Sequence, residues 1–226
     1  MSDVVIFGVG EFAEVAAAYL ENDSPHTVVA FTLDRQFCEE DAFAGRPLIP
    51  YDKLSEQYPP GKALMLVAIG FSGLNEVRQG IYERCKADGY EFVSYVCSQA
   101  VEWGHTTVGE NSFVFENNVL QPFCRIGNNC VLWSGNHIGH HAVIEDHCFI
   151  TSHVVVSGGT VVGRNCFVGV NATLADHIRI GENCVIGGGA IVLKDAEPGG
   201  AYFGSESERS RIPALRIPGF RRRKAG

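Results

Sequence analysis

The sequence has no apolar run long enough to cross a bilayer. A spanning helix needs about 20 apolar residues, and the longest such stretch, Ala63 to Ile69, has the length of a buried strand. It also has no excess of basic residues: 18 Lys and Arg stand against 26 Asp and Glu, for a net charge of −8. That balance argues against a free-standing nucleic-acid binder, whose phosphate contacts need positive charge. The opening residues MSDVVIFG lack the positive start and cleavage pattern of a secretory signal. A reducing, cytoplasmic setting is therefore expected, and the eight cysteines are not expected to form disulfides. No Cys-x-x-Cys pair is present, so their spacing is not that of a zinc site. What is present is an ordinary globular composition, 46% apolar and 19% charged, which excludes a disordered chain.

The strongest pattern is a period of six. Stepping by six from Val108 meets Val114, Leu120, Ile126, Leu132, Ile138, Ile144, Ile150, Val156, Val162, Val168, Leu174, Ile180, Ile186 and Val192, without a single non-aliphatic residue. Small residues recur four positions later, among them Ser112, Cys130, Cys148, Thr160, Cys166 and Cys184. Glycine often follows the aliphatic residue, as at Gly109, Gly127, Gly139 and Gly163. No 3.6-residue helix has this period. The pattern resembles the hexapeptide repeat of left-handed parallel β-helices, in which three hexapeptides make one triangular coil. Ile126-Gly-Asn-Asn-Cys, Val162-Gly-Arg-Asn-Cys and Ile180-Gly-Glu-Asn-Cys mark the 18-residue coil. Asn111, Asn129, Asn165 and Asn183 should then form a ladder at a turn, where Asn tolerates left-handed dihedrals. Cys130, Cys148, Cys166 and Cys184 should form a core column.

The first hundred residues read differently. Val4 to Phe7 predicts a strand, Gly8-Val9-Gly10-Glu11-Phe12-Ala13 a turn, and Phe12, Val15, Ala16, Tyr19 and Leu20 a helix. Val28 to Leu33, Ala63 to Ile69 and Tyr90 to Val96 predict further strands. Leu74 to Ala87 predicts a helix with Leu74, Val77, Ile81 and Cys85 on one face. Alternating strands and helices imply a parallel sheet. A GxGxxA turn between strand and helix suits a nucleotide, because glycine admits a phosphate to the backbone and the helix N-terminus favours its charge. Asp34, at the end of the next strand, suits a ribose hydroxyl. The expected architecture is a small Rossmann-like α/β domain over 1–100, a left-handed parallel β-helix of about five coils over 101–195, and a basic tail over 196–226. Four strands hold one nucleotide better than a dinucleotide.

Five of the eight histidines, His137, His140, His141, His147 and His153, fall within one stretch. His147 and His153 occupy turn slots, where a solvated or structural role is expected. His137 is expected to face the site from the preceding corner, and His141 to orient a neighbour or touch substrate. His105, His141 and His177 are spaced by 36. Two coils apart, they are about 10 Å from one another, too far for one chain to gather them on zinc at about 2.0–2.1 Å. No metal is expected.

A short Rossmann-like domain followed by a left-handed β-helix resembles the NeuD/PglD-type sugar acyltransferases. The likeness rests on Val5-Ile6-Phe7-Gly8-Val9-Gly10-Glu11-Phe12-Ala13, on Val67-Ala68-Ile69-Gly70 and on the hexapeptides. It implies transfer of an acetyl group from acetyl-CoA to a nucleotide-linked amino sugar by a homotrimer with sites between neighbouring β-helices. It also implies that His140 is the general base, and that the family's neighbouring Glu is His141 here. A backbone N–H at Gly158, in Val156-Ser157-Gly158-Gly159, would meet the acetyl carbonyl, and Gly8 and Gly10 would hold the nucleotide. The family's closing G-x-P-A segment is not intact, since Gly204-Ser205-Glu206-Ser207 lacks its proline. O-acetyl transfer, a non-catalytic scaffold and a γ-carbonic-anhydrase-like metal enzyme are the alternatives. Arg209, Arg211, Arg216, Arg221, Arg222, Arg223 and Lys224 make the tail basic, fit either for solvent or for the phosphates of CoA.

Overall fold

The computed structural model describes residues 1–207 and 209–217. The chain opens with β1 (Asp3–Phe7), α1 (Glu11–Asp23), β2 (Thr27–Leu33), β3 (Ala42–Phe43), β4 (Arg46–Pro50), α2 (Tyr51–Gln57), β5 (Leu64–Val67) and α3 (Glu76–Ala87). The sheet order is β3-β4-β2-β1-β5, parallel except for the short β3. β1 is central because Val4, Val5, Ile6 and Phe7 are all buried, as a strand covered on both faces requires.

Two expectations for this domain need correction. The stretch Tyr90 to Val96 is not a fourth strand of the sheet: Phe92 makes one bridge to Met65, and Tyr95–Val96 leaves to pair with Phe113–Val114. β4 takes the vacant place beside β2. It is hard to read in sequence because Pro47 and Pro50 flank its two buried residues, Leu48 and Ile49. The helix after β5 keeps Ile81 and Cys85 of the expected face inward but is rotated away from Val77 and starts later. Leu74 and Asn75 are left-handed (φ 52° and 70°), so α3 begins at Glu76. It buries Arg78, Tyr82 and Cys85 and leaves Val77 47% exposed.

From Tyr95 to Tyr202 the backbone winds as a triangular prism of two-residue strands in three parallel sheets of seven, five and six strands. Each strand pairs with the one a full coil later, as Val119 with His137, Ile126 with Ile144 and Leu132 with Ile150. The stack therefore runs one rung beyond 101–195 at each end. The repeated aliphatic residues fill the interior, with Leu120, Leu132, Ile138, Ile144, Ile150, Val156 and Val162 inaccessible to solvent.

The small residues of the repeat do more than fit. Ser112 donates to the Gly127 carbonyl (2.8 Å), Cys130 to Glu145 (3.2 Å), Cys148 to Gly163 (3.1 Å) and Cys166 to Gly181 (3.1 Å). Each closes a corner carbonyl that would otherwise be buried without a partner. All eight cysteines are free thiols. The Asn ladder forms with φ near +55°. Asn111 donates to Asn129 (2.8 Å), and Asn129 lies 2.9 Å from Nδ1 of His147, which takes the Asn slot of its coil. Burial lowers the pKa of His147, so it stays neutral and accepts.

The first domain covers the outer face of the seven-stranded sheet. Phe113, Val131 and Phe149 point out of that face and are buried beneath it. Phe12 and Tyr19 of α1 meet Phe113 and Phe115, and Phe71 meets Phe149 and Phe167. At one edge of the contact Arg78 is fully buried. Its Nε donates to Asn129 O (3.3 Å), Nη1 to Gly70 O (2.8 Å) and Asn75 Oδ1 (3.0 Å), and Nη2 to His147 O (2.9 Å) and Cys148 O (3.3 Å). All five N–H groups are thus used across the two domains, with no carboxylate among them. Burial lowers its pKa to about 10, so it is charged at neutral pH.

Candidate active site

His140 and His141 lie at the corner between the six-stranded and five-stranded sheets. His105, Phe123, His141, Gly159 and His177 occupy the same left-handed position on successive coils, with φ between 56° and 68°. The rings stack up this corner: His105 on Phe123 at 5.3 Å, and Phe123 against His141 at 4.9 Å. His105 and His141 thus lie on either side of a phenyl ring. Among the described residues no three ligating side chains converge on a point that could hold a metal.

His140 is exposed, and three neighbours fix it. Its backbone N–H donates to Gln121 Oε1 (2.9 Å), and its Nδ1 lies 3.3 Å from Nδ1 of His141. Its other edge lies against Gly158, where a Cβ would stand 2.7 Å from Cε1 and 2.8 Å from Nε2. Glycine at 158 is therefore what gives the imidazole its place. Gly159 does the same for His177, whose Nδ1 a Cβ there would overlap. The two imidazoles approach the Gly158-Gly159 pair from the coils below and above.

The expected carbonyl contact is already engaged. The Gly158 N–H donates to Asp176 Oδ1 (3.0 Å), and that of Gly159 to the His140 carbonyl (2.9 Å). His137 is not at a corner: it lies half-buried on the flat outer face of the six-stranded sheet, between Val119 and Val155. The alternation of a strand forces this, because Ile138 fills the core. His153 stands at a different corner, against Gly135.

In the first domain, β1 lies between β2 and β5, where the order of connection reverses. Ligands of open α/β sheets bind outside the strand ends at such a point. Gly8 and Gly10 follow β1 there. Gly8 has φ 136° and a Cβ would be 2.7 Å from the Ala68 carbonyl, so packing alone requires glycine. Nothing lies within 4 Å of a Cβ at Gly10, which starts α1 without a side-chain cap and leaves the approach to the helix N-terminus open. Asp34 is ion-paired with Arg84 (2.8 Å), whose guanidinium lies over Tyr51. This crevice belongs to the domain on the seven-stranded sheet, whereas His140 stands at the opposite edge of the prism. Within one chain the two do not line one cleft.

Gln121, Phe123 and Asp176 were not among the residues expected here, and His177 was expected only as a member of the His105–His141 column. The signal for Phe123 was available: it is the aromatic exception in a column of turn residues. Of the basic tail, Arg221, Arg222, Arg223 and Lys224 lie outside the described residues. No helix among the described residues is long and apolar enough to cross a membrane.

The bacterial transferase hexapeptide model, of six repeats, matches residues 105–139, 123–158 and 159–194. Comparison with curated protein sequences gives no match. Among solved structures, PerB from Caulobacter crescentus in complex with CoA and GDP-perosamine is 25% identical, with 90% of this chain and 95% of that one covered and a TM-score of 0.80. A variant of perosamine N-acetyltransferase from the same organism, with the same ligands, is 24% identical over 90% and 94% of the two chains (TM-score 0.81). The acetyltransferase domain of PglB from Neisseria gonorrhoeae, in complex with acetyl coenzyme A, is 20% identical over 90% and 96% (TM-score 0.78). Residues 105–194 thus match the hexapeptide-repeat model, and the chain shares the fold of these solved structures over 90% of its length.

Proposed function

We propose that the chain transfers an acetyl group from acetyl-CoA to the amine of a nucleotide-linked sugar, with His140 as general base. The observation that carries this reading is an exposed imidazole whose Nε2 edge lies over a glycine corner. It stands in a fold shared with a protein solved with CoA and GDP-perosamine.

In this reading, neutral His140 takes the amine proton at Nε2 as the nitrogen bonds to the thioester carbonyl carbon. When the C–S bond breaks, His140 returns that proton to the departing thiolate. His141 takes the slot of the family's carboxylate and holds the Nδ1 side of the base, 3.3 Å away. Gly158 and Gly159 make room for the His140 and His177 imidazoles that would flank the thioester. The Gly158 N–H meets the developing oxyanion after the carbonyl oxygen displaces the Asp176 carboxylate. Gly8 and Gly10 admit the nucleotide to the end of β1, beside Asp34.

The crevice and His140 stand on opposite sides of one chain, so two chains build each site. The outer face of the six-stranded sheet favours such association, because its outward row is Val101, Val119, His137, Val155, Thr173 and Ile191, largely apolar and without a charged residue. A homotrimer closes that arrangement. Eight free thiols suit the cytoplasm. The test is His140→Ala, which should bind acetyl-CoA and nucleotide sugar like the parent in calorimetry yet lose turnover by at least about 10²-fold. Near-parental turnover would remove His140 from the chemistry.

A further inference from the structure

Phe123 is the anomaly of the active-site corner. The other left-handed turn positions of the β-helix hold His, Asn or Gly. Asn and His tolerate that conformation and glycine adopts it freely, but a bulky ring at φ 67° is an outlier. Backbone strain of this kind persists where surroundings enforce it, and it gathers at functional sites. The ring is not used to fill the core, since the residue is 50% exposed.

Its neighbours hold it in one orientation. His105 stacks at 5.3 Å with the planes 20° apart, and His141 lies on the other side at 4.9 Å. The carbonyl of the preceding residue, Pro122, accepts the His141 N–H (3.3 Å), which ties this turn to the coil carrying His140. The base thus stands between two different surfaces. The coil above it carries Gly158 and Gly159, against which the His140 and His177 rings lie. The coil below it ends in a rigid apolar edge flanked by two imidazoles.

We propose that Phe123 is the acceptor-binding platform, packing against the apolar C–H surface of the sugar whose amine reaches His140. The proposal rests on the acetyl-transfer reading above. A sugar ring offers C–H surface for the exposed part of the aromatic ring and hydroxyls for the flanking imidazoles. Desolvating that edge favours binding, and its fixed orientation lowers the entropy lost.

The discriminating variant is Phe123→Asn, because Asn suits the left-handed turn and the fold should gain from it. The expected result is a melting temperature equal to or above the parent, an unchanged KM for acetyl-CoA, and an acceptor KM raised by about tenfold or more. An unchanged acceptor KM with a higher melting temperature would overturn the proposal and leave Phe123 a tolerated strain. A changed assembly mass in light scattering with an unchanged acceptor KM would assign the ring to subunit contact and overturn it equally. If the parent releases no thiol from acetyl-CoA, the acetyl-transfer reading fails by itself. Calorimetry of UDP- and GDP-linked amino sugars on parent and variant then decides the platform, with equal affinities or no binding to either overturning it.

Discussion

Replacing Gly158 by alanine puts a methyl group 2.7 Å from Cε1 and 2.8 Å from Nε2 of His140. Non-bonded heavy atoms settle at about 3.5–4.0 Å, so the imidazole must retreat by about 1 Å. The backbone does not oppose the change, because Gly158 is outside the left-handed region. Its N–H keeps the Asp176 acceptor at 3.0 Å. The displaced ring is exposed and moves into solvent, so the loss of stability should stay within about 0.5 kcal/mol. Acyl transfer is far less tolerant, since a misplacement of about 1 Å costs about 10²-fold in rate. Thiol release from acetyl-CoA, read beside thermal melting, should therefore show a large loss of kcat/KM at an unchanged melting temperature. Parental kcat/KM in Gly158→Ala would refute the argument that this glycine positions the base.

The other predictions concern what holds the molecule together. Arg78→Met removes a donor from four carbonyls and the Asn75 side chain, leaving Asn129 O and His147 O buried without a partner, and should cost at least about 3 kcal/mol in urea unfolding, more than Arg78→Lys. Cys148→Ser places a hydroxyl where Ser112 already serves the same column. It should melt within a few degrees of the parent, while Cys148→Val, which lacks a donor for Gly163 O, should melt well below it. A thiol reagent under native conditions should label Cys38 and spare the seven buried cysteines until the chain unfolds. Because burial lowers the pKa of His147, the unfolded chain takes up its proton first on acidification. Its contribution is thus whole above about pH 6.5 and is lost as pH falls toward the lowered folded value. His147→Asn, which restores the ladder residue, should flatten that acid decline in urea titrations; an unchanged slope would contradict the assignment.

The β-helix was legible because its spatial period and its sequence period are the same. Each aliphatic residue from Val114 to Ile186 faces the interior because the coil returns every third hexapeptide. The Asn ladder was legible for the same reason, down to His147 as its substituted member. What is not periodic was harder. β4 hid behind two prolines. The buried face of α3 was misread because a helix packed on corner carbonyls recruits Arg78 and leaves Val77 outside, the reverse of the usual polarity. His140 and the glycines beside it could be found along the chain, whereas the Asp176 carboxylate on the Gly158 amide shows its pattern only once the coils are stacked, where the same one-coil contact joins Glu110 N–H to Asn128 and Asn128 N–H to Asp146. The separation of the Gly8–Gly10 crevice from His140 follows from which sheet face the first domain covers. That choice lies in the outward Phe113, Phe149 and Phe167, each next to a core residue in sequence and pointing the opposite way.

The central claim is tested most directly by incubating the purified chain with acetyl-CoA and a panel of UDP-, dTDP-, GDP- and CMP-linked amino sugars. Free thiol and product mass would be read together. The account predicts thiol release with at least one amino sugar, matched by an amide-acetylated product and abolished in His140→Ala. Acetyl-CoA binding without thiol release on any nucleotide-linked amine, or a product acetylated on a hydroxyl, would contradict it.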